Sequence, residues 1–105
     1  MNIQFNPDVD ALYLRLAEGD VVDSETIEPD LVYDYDATDQ VIGIELLRVS
    51  PNLSDLAIKS LPFQTFSQQI EFLSFLETIA DADLRSKLVF AKQILQNQQA
   101  FLQSA

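Results

Sequence analysis

The hydrophobic pattern of this chain changes period once, and the change falls at SPNLSD, Ser50 to Asp55. Before it, apolar residues recur every second position between clusters of turn residues, the spacing of half-buried strands. After it, they recur every three or four positions, the spacing of amphipathic helices. Strands followed by helices, rather than alternating with them, imply an α+β domain. The expectation is an N-terminal antiparallel β-meander of four or five strands, residues 1–50, packed against a C-terminal helical hairpin, residues 51–105. At 105 residues the chain suffices for one domain with one modest core.

Within the first half, Ile3 to Phe5 reads as a short strand and NPDVD, Asn6 to Asp10, as a turn in which Pro7 presets φ and Asp10 bonds its own nearby backbone. ALYLRL follows, with Leu12, Leu14 and Leu16 on one face and Ala11, Tyr13 and Arg15 on the other. Gly19 in AEGD supplies a positive φ for the next turn. The acidic alternation of VVDSETI, Val21 to Ile27, suits an edge strand, and Pro29 closes it because proline cannot donate to a ladder. LVYDYD and VIGIELL form the last pair, joined across Ala37 to Gln40.

In the second half, a short helix is expected from Ser54 or Asp55 to Leu61, stopped by Pro62. Thr65 and Gln68 have the spacing of a capping box for a helix that ends near Ala80, with Phe66, Ile70, Leu73, Leu76 and Ile79 on one side. Asp81 or Asp83 caps the next, whose Leu84, Leu88, Ala91, Leu95, Gln98 and Leu102 step by fours and threes. Phe72, Phe75, Phe90 and Phe101 widen the apolar surface beyond what one sheet face needs, which implies a homodimer.

The side chains available exclude whole classes of chemistry. There is no cysteine, hence no disulfide, thiolate nucleophile or zinc–sulfur site, and no histidine, the commonest general base and transition-metal ligand. Two glycines, Gly19 and Gly43, are too few and too far apart for a phosphate-cradling loop. Of the net charge of −11, residues 1–50 hold twelve acids against two bases, and residues 51–105 five acids against four bases. Such a field repels phosphate backbones, which argues against nucleic acid, and attracts a basic protein partner. No apolar run reaches the roughly 20 residues a bilayer requires, and MNIQFNPDVD has neither a basic n-region nor an apolar h-region, so a cytoplasmic protein that avoids membranes is expected.

LVYDYDATDQVIGIEL, Leu31 to Leu46, admits two incompatible parses. Asp34, Asp36, Thr38 and Glu45 fall at the first, third, fifth and twelfth positions of a calcium loop. Yet position six is Asp39 rather than glycine, and the flanks alternate like strands rather than repeating like helices. A hairpin explains more of the segment, so no metal and no cofactor are assigned.

PDVDALYLRL, an acidic strand and LVYDYDATDQVIGIELL together resemble the small prokaryotic family known as domain of unknown function 2283, over residues 1–48. Its members share a D-A-L-Y segment, a strand ending D-Y-D-x-D-G and a strand carrying G-I-E. This chain departs from that pattern at Phe5, where the family has tyrosine, and at Thr38-Asp39, where it has Asp-Gly. The resemblance implies the sheet and brings no activity. Some members look like partners encoded beside small toxins, which implies an antitoxin-like role by analogy only.

Two functional readings follow. Tyr13, Arg15, Asp34 and Glu45 fall on the sheet face opposite the leucines, where two carboxylates, a phenol and a guanidinium could serve a small hydrolase or ligand-binding protein. The same residues form an ordinary cross-strand network in which Glu45 faces Arg15 and fixes register. The favoured expectation is a non-catalytic interaction module, with Asp10, Tyr13, Arg15, Asp34, Asp36 and Glu45 as its candidate surface.

Overall fold

The computed structural model describes the backbone of residues 1–104 and the side chains of residues 1–102. Five strands, β1 (Asn2–Asn6), β2 (Ala11–Arg15), β3 (Asp23–Glu28), β4 (Leu31–Tyr35) and β5 (Val41–Leu46), precede three helices, α1 (Val49–Ile58), α2 (Phe66–Ile79) and α3 (Ala82–Ser104). The sheet is antiparallel throughout, in the order β1-β2-β5-β4-β3. β3, β4 and β5 form the meander. The chain thus crosses from β2 to the far edge and works back until β5 closes on β2, which leaves β1 and β3 as the two edges.

All three helices contribute to a core on one face of this sheet. Leu12, Leu14 and Leu16 of the β2 segment, Leu31 of β4 and Ile44 and Leu46 of β5 meet Val49, Leu56, Leu61, Phe72, Leu73, Leu76, Ala80 and Leu88. The alternation read from ALYLRL is therefore the alternation of burial. Phe72 belongs to this core, against Phe63 at 5.5 Å between ring centroids, and Phe75 meets Phe5 edge to face at 5.8 Å. Both rings complete the interior rather than exceed it. Among the described residues no helix is long and apolar enough to cross a membrane.

The first helix departs from the sequence expectation. It begins at Val49, ahead of Pro51, and ends at Ile58. Proline is tolerated in a first helical turn, where its missing N–H would have lacked an intrahelical partner anyway. What fixes the start is Asp10, forty positions earlier: its Oδ2 accepts from Ser50 N at 2.9 Å, its Oδ1 from Ser50 Oγ at 2.8 Å, and its carbonyl from Val49 N at 3.1 Å. Asp10 is thus a remote helix cap, correcting the expectation that it bonds its own turn.

The other helices begin as read. Thr65 Oγ1 accepts from Gln68 N at 3.2 Å, and the Gln68 side chain reaches back to Gln64 N at 2.9 Å while donating to the buried Leu16 carbonyl at 2.8 Å. Asp81 Oδ1 accepts from Leu84 N at 2.8 Å. Along α3, Leu84, Leu88, Ala91 and Leu95 turn inward, but Gln98 and Leu102 are exposed. The reason is length: α3 has 23 residues and α2 has 14, or roughly 34 Å against 21 Å at 1.5 Å per residue. The last turns of α3 overhang their cover.

Candidate functional site

On the face turned away from the helices, Tyr13 leaves β2 and lies across β5 at Gly43. A methyl group placed on Gly43 would sit 2.0 Å from the Tyr13 hydroxyl oxygen and 2.8 Å from Cζ, so only glycine admits the ring. The phenol thereby spans the intervening strand and donates to Asp34 Oδ2 on β4 at 2.8 Å. Asp34 Oδ1 in turn accepts from Ser24 Oγ on β3 at 2.6 Å. One hydrogen-bonded chain, Tyr13–Asp34–Ser24, crosses four strands.

Burial, reinforced by the Asp34 carboxylate, raises the Tyr13 pKa above its ordinary value, while nearby Arg15 opposes the shift. The phenol is therefore kept as a proton donor. Arg15 itself donates to the Gly19 carbonyl. Glu45 does not face Arg15 as expected: its cross-strand partners are Tyr13 and Val32, whereas those of Arg15 are Asn2 and Gly43. Glu45 and Tyr13 line a shallow open depression with Gln4 and Asn6, and Arg15 lines another with Met1 and Glu18.

The ambiguous segment Leu31–Leu46 is a hairpin. Asp39 N donates to the Asp36 carbonyl at 3.1 Å, Asp36 N to the Gln40 carbonyl at 3.0 Å, and Asp39 takes φ 61°. That is a type I turn closed by a left-handed residue, a place glycine fills most easily and aspartate tolerates. Asp36 Oδ1 accepts from Thr38 N, Thr38 Oγ1 and Gln40 N at 2.8, 2.7 and 3.0 Å. These donors, the Thr38 hydroxyl first, hold its carboxyl below the usual carboxylate range. Asp36 organises its own turn, while Asp34 and Glu45 stand on the flanking strands. Among the described residues no three acidic side chains gather where they could hold a metal ion.

The acidic edge strand expected from VVDSETI is β3, where every residue of DSETIE is exposed and three of the six are acidic. A feature not singled out in the sequence is a cleft of about 200 Å³ where the β3–β4 turn meets α1, floored by Leu31, Leu46 and Leu56. Two ion pairs frame it. Lys59 Nζ lies 2.8 Å from Glu28 Oε2, and Arg48 makes a forked contact to Asp30, Nη2 at 2.8 Å and Nε at 3.0 Å, which Asn52 supports at 3.1 Å. The Arg48 guanidinium lowers the Asp30 pKa, and Asp30 raises that of Arg48. Arg48 adopts φ 48°, a left-handed conformation, at the position before α1, where its carbonyl accepts from Asn52 Nδ2 at 2.9 Å. Lys59 is the one base between Arg48 and Arg85, a signal that could have marked it as the partner of an acid on β3.

Comparison with known families agrees with the motifs that build the sheet. Residues 2–50 match the family described as "Protein of unknown function (DUF2283)". The matched segment holds all five strands and only the first two residues of α1, so Tyr13, Gly43, Asp34 and the β3 edge lie inside it and the helical hairpin outside. No curated protein and no solved structure matches the chain.

Proposed function

We propose that this protein is a non-catalytic interaction module that receives an extended, basic segment of a partner protein along the free edge of β3. The observation that carries this reading is the edge itself, six exposed residues with Asp23, Glu25 and Glu28 among them. An edge strand offers unpaired backbone donors and acceptors to an added strand. Its acidic side chains oppose a second copy of the same edge and favour lysine and arginine, and the −10 carried by residues 1–50 extends that preference over a longer range. A small basic toxin is one partner with this chemistry, in keeping with the resemblance of the sheet.

The outward face of the sheet supports the same conclusion. Tyr13 and Asp34 are committed to each other and Arg15 to a backbone carbonyl, so we read these groups as the lock that holds the strand order rather than as acid and base.

The test is titration of the whole protein with a ten-residue peptide alternating lysine and valine, followed by fluorescence anisotropy. Binding is expected to weaken about tenfold as salt rises from 50 to 300 mM, where the Debye length shrinks from about 14 to 6 Å. The double substitution D23K/E25K, on exposed side chains, is expected to weaken it at least tenfold further. Equal binding of the peptide by the wild type and the double variant would overturn the proposal.

A further inference from the structure

The acidic β3 edge opposes a second copy of itself, but the overhanging end of α3 has the opposite character. Residues 93–105 contain no charged side chain in a chain of net charge −11. A like-charged copy can approach there without repulsion, and a basic partner gains nothing there. On the same helix Phe90, Ile94, Asn97 and Phe101 step by four, three and four, the spacing of a helix–helix seam. Phe90 is 67% exposed, Phe101 72% and Leu102 69%, with Val89 and Ile94 beside them. From about 200 Å² for a whole phenylalanine, the two rings and their aliphatic neighbours offer on the order of 500 Å² per protomer, approaching the roughly 800 Å² of a standard stable interface.

We infer that a second copy of this chain covers α3, the two α3 helices running antiparallel about a two-fold axis near Asn97. Antiparallel pairing is favoured by where the bases lie. About an axis near Asn97, Lys92 falls opposite Leu102 and the charged residues Asp83, Arg85 and Lys87 lie past the end of the opposing helix, whereas parallel pairing would set each of these charges beside its own copy. The closing symmetry leaves both β3 edges free. The inference uses a different surface from the proposed function and stands or falls separately from it.

Light scattering of the whole protein at 100 µM is expected to give twice the chain mass of 11.8 kDa. The exposed double substitution F90S/F101S is expected to return it to the single-chain mass. Because the chain contains no cysteine, Asn97→Cys places one thiol at the axis and is expected to give a covalent dimer on mild oxidation. A wild type of single-chain mass would overturn the inference, including the case in which a foreign protein covers α3. So would a wild-type dimer that F90S/F101S leaves intact, or whose Asn97→Cys form does not cross-link, because the contact would then lie elsewhere, for example at the uncharged β1 edge.

Discussion

Gly43 and Tyr13 are one structural decision expressed at two positions. Replacing Gly43 with alanine forces the phenol out of its path and breaks the Asp34 bond, an expected cost of about 2 kcal/mol from overpacking and a lost hydrogen bond. Tyr13→Phe alone is expected to cost about 1 kcal/mol. In Y13A/G43A the clash is gone, so the double variant is expected to be more stable than the Gly43→Ala and Tyr13→Ala losses summed would allow, and urea unfolding of these three variants and the wild type measures that coupling. Alkaline pH probes the same lock. Tyr13, Tyr33 and Tyr35 all have pKa values raised above 10.0 in the folded state, chiefly by burial for the first two and by the Glu25 hydrogen bond for Tyr35. The folded state therefore holds protons that the unfolded chain releases first, and this contribution is complete below pH 10 and lost as pH rises through the folded-state values. The urea midpoint is expected to fall between pH 9 and pH 11, and to fall less in Tyr13→Phe. The sequence already put Tyr13, Arg15, Asp34 and Glu45 on one face through their period-two parity. It could not say that β5 lies between β2 and β4, and without that order the bridge over Gly43 and the true neighbours of Glu45 were not legible.

At the scale of elements, local signals served wherever partners are close in sequence. The Thr65–Gln68 cap, the Asp81 cap and the DATDQ turn each join groups within four residues. The start of α1 was misplaced because its cap comes from Asp10, on the turn between β1 and β2, and Pro51 stands in the one helical turn that tolerates proline. Asp10→Ala is expected to destabilise the protein by about 1–2 kcal/mol, the loss of a helix cap, with Asn retaining most of the wild-type value because its carbonyl can still accept. Thermal unfolding of the two variants checks this. Equal losses in both would assign the role to the Asp10 charge rather than to the hydrogen bonds.

For the molecule as a whole, the division seen in composition becomes a division of surfaces. The sheet carries nearly all the net charge and presents an acidic edge, while the helical half is almost neutral and ends in an uncharged, apolar overhang. The order of strands and helices was legible because hydrophobic period is a local property. Which acids would be committed to distant partners was not, because Asp10 and Asp34 meet Ser50 and Tyr13 only through the tertiary fold. The central proposal is that the exposed acids of β3 define a docking edge. Hydrogen–deuterium exchange of the whole chain, with and without the alternating lysine–valine peptide, tests it most directly. Strand addition is expected to slow exchange of amides within Asp23–Glu28 at least tenfold while those of Asn2–Asn6, on the opposite and uncharged edge, are unchanged. Protection centred on Asn2–Asn6 or on the strands around Tyr13 and Gly43, with none in β3, would contradict it.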